Sequence, residues 1–87
     1  MNIIEQLGIA PYEEGGGLVS NVYTGSICML TAEELAVYDF IIGAENTLMY
    51  DSKEMDEDAV YKLRTDFHRG LNWFKQTNAR VYMELLD

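Results

Sequence analysis

Acyl or group-transfer chemistry at a nucleophile needs Ser, Cys or Thr beside a base, usually a histidine held by a third group. This chain has one histidine, His68, and one cysteine, Cys28. By helical angle, His68 falls on a polar face near Arg64 and Lys75 and reads as a solvated helix residue. One Cys and one His give neither an internal disulfide nor a ligand set for structural zinc. Carboxylates are plentiful, and Asp51, Glu54, Asp56, Glu57 and Asp58 crowd one short segment. That segment lacks the mid-loop Gly and terminal Glu of an EF-hand, and no Glu-x-x-His pair supports a di-iron bundle. It reads as acidic charge gathered at a helix N-terminus, where the macrodipole favours it. Gly15-Gly16-Gly17 follows Glu13-Glu14 with no lysine nearby, so the run reads as a flexible connector rather than a phosphate-binding loop. These patterns predict a protein that is not an enzyme and takes no cofactor and no metal.

Recognition is the chemistry that remains. Fifteen acidic against six basic residues leave a net charge of −9, which repels nucleic acid and anionic lipid. The charge is uneven: residues 1–58 carry twelve acids and one base, residues 59–87 three acids and five bases, leaving −11 and +2. Carboxylates one helical turn apart are spaced about as far apart as successive phosphates, so an acidic helix fits a groove built for nucleic acid. Glu33, Glu34, Asp39, Glu45, Glu54, Glu57 and Asp58 are the candidate contacts to such a partner, with Tyr61 and Trp73, which fall off the core stripe of their helix. The alternative is an oligomer that traps a nucleotide-like anion on converging Lys62, Arg64, Arg69, Lys75 and Arg80. A purely structural or assembly subunit is a third reading.

The elements that must position these groups form a mainly α single domain spanning 1–87. An irregular N-terminal third, 1–30, precedes a helical module, 31–87. Met1 to Leu7 suits a short helix ending at Gly8, and the β-branched and aromatic residues of 18–30 suggest extended segments, with a hairpin turning at Thr24-Gly25-Ser26. Thr31-x-x-Glu34 is a capping box that predicts a helix to about Met49. Val37, Ile41, Ala44 and Leu48 form one apolar face of it, and Leu35, Tyr38, Ile42 and Met49 a second. An antiparallel partner over about 54–76, capped by Ser52 or Asp56, presents Ala59, Val60, Leu63, Phe67, Gly70, Leu71 and Phe74 in one stripe. Gly70 in that stripe predicts close helix approach, and Asn78 caps a short C-terminal helix. A chain this short buries about 60% of the surface that its unfolded form exposes. One small subunit is therefore expected not to hide both faces of the first helix, and Leu35, Tyr38, Ile42 and Met49 are the expected homo-oligomer interface. No apolar run reaches the length of a membrane span, and the N-terminus lacks signal-peptide features, so a cytoplasmic setting is expected.

Leu30-Thr31-x-x-Glu34-x-Ala36-x-Tyr38-Asp39-Phe40-Ile41-x-Gly43-Ala44-Glu45, Gly70-Leu71-x-Trp73-Phe74 and Tyr82-Met83-x-Leu85-Leu86-Asp87 give the C-terminal two-thirds a packing pattern. It resembles that of small, mostly uncharacterised bacteriophage and mobile-element proteins. The resemblance implies a viral accessory protein acting in the host cell, of the kind that binds and inhibits a host defence or nucleic-acid-processing protein. It implies no catalytic activity.

Overall fold

The computed structural model describes residues 2–9, 15–21 and 23–86. Glu13 and Glu14, next to the glycine run, and Val22, within the expected extended segments of 18–30, lie outside them. Helix α1 (Ile3–Leu7) starts at Asn2, whose Oδ1 accepts from Glu5 N at 2.9 Å, and stops at Gly8 in the left-handed region, φ +67°. Its apolar residues Ile3, Ile4 and Leu7 are all buried, which compensates for a helix too short to be stable alone.

Strands β1 (Gly17–Ser20) and β2 (Ile27–Leu30) pair antiparallel, with Gly17 opposite Leu30 and Ser20 opposite Ile27. The loop between them is organised by Asn21, whose Oδ1 accepts from Tyr23 N at 2.8 Å, and by Gly25 at φ +78°. The hairpin thus turns where the sequence expected. The glycine run is not the connector it resembled: a Cβ on Gly16 would lie 1.5 Å from the Leu30 carbonyl oxygen, and Gly17 opens β1. Close backbone approach, rather than freedom, selects Gly16.

β2 leads into Thr31 and helix α2 (Ala32–Tyr50). The capping box is complete, with Thr31 Oγ1 accepting from Glu34 N at 3.1 Å and Glu34 Oε1 accepting from Thr31 N at 2.9 Å. Helix α3 (Glu57–Thr77) begins later than the sequence suggested, because Ser52–Glu54 forms a separate 3₁₀ turn and Met55 is extended. Asp56 stands at the α3 N-cap without a side-chain bond to the helix. Asn78 ends α3, and its Oδ1 accepts from Val81 N at 3.3 Å to start α4 (Ala79–Val81), which continues as one π-helical turn, Tyr82–Leu86.

Helices α2 and α3 pack antiparallel: Asn78 Nδ2 donates to Glu34 Oε2 at 2.9 Å at one end, and Gly70 meets Ile41 and Val37 midway. A Cβ on Gly70 would stand 2.9 Å from Ile41 Cγ1, the close approach that its place in the stripe predicted. Val37, Ile41 and Phe74 are completely buried and Leu30 nearly so, which puts the core between the helix pair and the inner face of the hairpin. The α3 stripe fades towards its start, where Ala59 is exposed.

Candidate functional site

Expected contact residues separate into two groups. Glu34 is buried, and both carboxylate oxygens are engaged, one by Thr31 N and one by Asn78 Nδ2. It is a structural cap and not a partner contact. Trp73 is half-buried, packs against the core, meets Phe74 edge-on at 5.0 Å and lines a cavity with Asn2, Ile3 and Gln6 at α1. Its indole is consequently not a free anchor. Glu33, Asp39, Glu45, Glu54, Glu57, Asp58 and Tyr61 are all exposed.

The chain reversal between α2 and α3 carries the densest group. Asp51, Glu54, Asp56, Glu57 and Asp58 are exposed there, with only Lys53 of opposite sign among them. Met49 and Tyr50 end α2 at this reversal, and Tyr61 follows the acids in the second turn of α3. Tyr50, Tyr61 and the neighbouring Met49 are between 64% and 75% exposed. The ion pairs among the described residues use Asp66 and Glu84 instead, so no base of the chain is paired with an acid of Asp51–Asp58. A strongly negative end with exposed aromatic rings suits a cationic protein surface, since acids steer the encounter and tyrosines supply buried area.

The second apolar face of α2 is mostly covered within one chain, which corrects its reading as an oligomer interface. Leu35 and Tyr38 pack against the core and are half-buried, and Ile42 is half-buried too. The hairpin covers the start of this face, where Leu35 approaches Gly17. Further along, Tyr38, Ile42 and Glu45 line a partly open cavity of about 450 Å³ with Phe67, Leu85 and Leu86. Burial, reinforced by the charges of Asp39 and Glu45, pushes the Tyr38 hydroxyl above its ordinary value and keeps it neutral. Only Met49 of that expected interface stands in solvent.

The bases do not assemble an anion pocket. Lys62 Nζ lies 2.6 Å from Asp66 Oδ2, and Arg69 Nη1 lies 3.7 Å from Asp66 Oδ1. Arg80 Nε is 3.5 Å from Glu84, and Lys75 stands 5.2 Å from the Tyr82 ring centroid. Arg64 is exposed, and Lys62, Arg69 and Arg80 border three different cavities.

Sequence reasoning missed two polar junctions. Asp66 is buried within the reach of two cations, and its position i+4 from Lys62 and i−3 from Arg69 was the available signal. Glu84 ties the C-terminus to the hairpin: its Oε2 accepts from the buried Cys28 thiol at 3.0 Å, and its carbonyl accepts from Asn21 Nδ2 at 2.9 Å. No local pattern announces contacts between residues so distant in sequence.

Comparison with protein-family models, characterised proteins and solved structures finds no match. Among the described residues, no group of three or more His, Cys, Asp or Glu is placed to hold a metal ion, and no helix is long and apolar enough to cross a membrane.

Proposed function

We propose that this chain is a non-enzymatic binding protein that occupies a basic surface, such as a nucleic-acid groove, on a host protein. The setting proposed is a bacteriophage accessory protein acting in the host cytoplasm against a defence or nucleic-acid-processing protein, as the resemblance of the helical segments implies. One observation supports this reading above the others: the unpaired acids at Asp51–Asp58 share the reversal end with exposed Met49, Tyr50 and Tyr61. Glu45 flanks this end on α2, while Glu33 and Asp39 extend the exposed acidic surface towards the Thr31 cap. Trapping a nucleotide-like anion is the weaker reading, because the bases it needs are divided among Asp66, Glu84 and Tyr82.

The test is affinity capture from host lysate at low and high salt, followed by identification of the retained protein. The expected result is a retained protein with a cationic groove, released as salt rises because exposed charges are screened beyond a Debye length of about 8 Å near physiological salt. The triple variant Glu54→Gln, Glu57→Gln, Asp58→Asn should retain it at least roughly tenfold more weakly. Retention that ignores both salt and this variant overturns the reading.

A further inference from the structure

The cavity of about 450 Å³ between α2, α3, the hairpin loop and the C-terminal turn combines aromatic rings with charge of one sign. Tyr38 of α2, Phe67 of α3 and Tyr23 of the hairpin loop place three rings along it, and Glu45 is the only charged residue among the described residues that line it. Tyr38 and Phe67 are half-buried, whereas Tyr23 is 94% exposed and stands at the rim. Ile42, Leu71, Leu85 and Leu86 supply aliphatic wall. The Glu84 contacts to Cys28 and Asn21 hold the C-terminal turn, and Leu85 and Leu86 with it, against the hairpin. Asn21 also lines the cavity, but its Oδ1 accepts from the Tyr23 and Thr24 amides and its Nδ2 donates to the Glu84 carbonyl, so its amide is already engaged by the fold. Glu45 is exposed and forms no ion pair among the described residues. Its charge reaches into the cavity wall: after burial, the charges of Asp39 and Glu45 are what push the Tyr38 hydroxyl up.

We propose that this cavity binds a small organic cation, an alkylated ammonium carried on an apolar body, with the ammonium among the rings of Tyr23, Tyr38 and Phe67 and its charge offset by Glu45. Ring faces carry the negative side of the aromatic quadrupole, and several rings around one site attract a quaternary ammonium that has little hydration to lose. Such an ion has no N–H to satisfy, which suits a wall whose amide is taken by the fold. Its apolar body fits against Ile42, Leu71, Leu85 and Leu86. The volume falls within the range of about 300–1,000 Å³ usual for small-molecule sites. Charge decides the class of ligand. An anion meets Glu45 locally and a net charge of −9 overall, and is repelled by both. A bare metal ion needs several oxygen ligands where Glu45 supplies one carboxylate. A neutral apolar molecule gains nothing from Glu45 and less from the rings.

Titration of the full chain with benzyltrimethylammonium, followed by amide chemical shifts, tests this apart from capture of any host protein. The expected result is saturable binding with a dissociation constant below about 1 mM, and shifts that move at Asn21, Glu45 and Leu71. N,N-dimethylbenzamide, a neutral molecule of similar size, and phenylmethanesulfonate, an anion on the same benzyl body, should each bind at least about tenfold more weakly. Glu45→Gln and Tyr23→Ala should each weaken binding of the ammonium about threefold or more. Both side chains are exposed, so circular dichroism should show unchanged helix content. Glu5→Gln removes the same charge from an exposed residue outside the cavity wall and should change the affinity less than about 1.5-fold. Binding weaker than about 1 mM, a neutral or anionic ligand that binds as tightly, or an affinity indifferent to either Glu45→Gln or Tyr23→Ala overturns the inference.

Discussion

Glu84 joins three parts of the molecule through one side chain and one carbonyl, so its ionisation has consequences beyond its own turn. The hydrogen bond from Cys28, helped by Arg80 and opposed by burial, holds its carboxyl below the ordinary value of 4.5. The same bond, then burial and the Glu84 charge, push the Cys28 thiol above 9.0. A lowered carboxyl contributes stability that is complete above 4.5 and is lost as pH falls through the lower folded value. A raised thiol contributes stability that is present below 9.0 and is lost as pH rises through the higher folded value. Glu84→Ala should therefore flatten the acid limb of the thermal midpoint against pH. It should also speed modification of Cys28 by a disulfide reagent at about pH 8, because the thiolate is the reactive form. A wild-type thiol that already reacts as fast as in urea would contradict the Cys28–Glu84 bond. Glu34 offers a second test at this scale. Glu34→Ala strands the Thr31 amide and the Asn78 side chain, and urea unfolding should show a loss of about 2 kcal/mol.

Two helical glycines separate propensity from packing. Gly43 in α2 is exposed with open space where a Cβ would go, so Gly43→Ala should stabilise by up to about 1 kcal/mol in urea unfolding. Gly70→Ala gains the same propensity but drives a methyl into Ile41 Cγ1, and Ile41 and Val37, fully buried, have no room to yield. Overpacking costs about 1–3 kcal/mol, so the net sign should reverse. The sequence carried this contrast only in part. It placed Gly70 in the seam because Phe67, Leu71 and Phe74 recur at helical spacing around it, and it announced α2 through Thr31 and Glu34. Periodicity is local, and so are caps, which is why those elements were legible. The covering of Leu35 and Tyr38 by the hairpin and C-terminal turn depends on contacts such as Cys28–Glu84 and Asn21–Glu84, across more than fifty residues. A one-dimensional pattern contains no record of which apolar face meets which cover. The acidic reversal was legible as composition, but that Met49 and Tyr50 stay exposed beside it needed the packing of the whole fold.

For the molecule as a whole, an excess of nine negative charges acts on folding as well as on recognition. The acids at the start of α3 gain about 0.3–1 kcal/mol each from the helix macrodipole, but they also repel one another across Asp51–Asp58, where Lys53 is the sole base. Since the acids of Asp51–Asp58 crowd around one base, added salt has many repulsive pairs there to screen. The thermal midpoint of the wild-type chain should therefore rise between about 20 and about 300 mM sodium chloride. The variant Glu54→Gln, Glu57→Gln, Asp58→Asn should show a flatter rise, because it removes repulsion in advance. Its stability at moderate salt should stay within about 1 kcal/mol of wild type, as the lost dipole interactions offset the relieved repulsion. That balance lets the same variant separate recognition from folding: it remains folded while its acidic end attracts a cationic surface more weakly. A midpoint that falls with salt would mean that attractive pairs dominate the acidic end, and the surface would then be satisfied within the chain rather than offered to a partner.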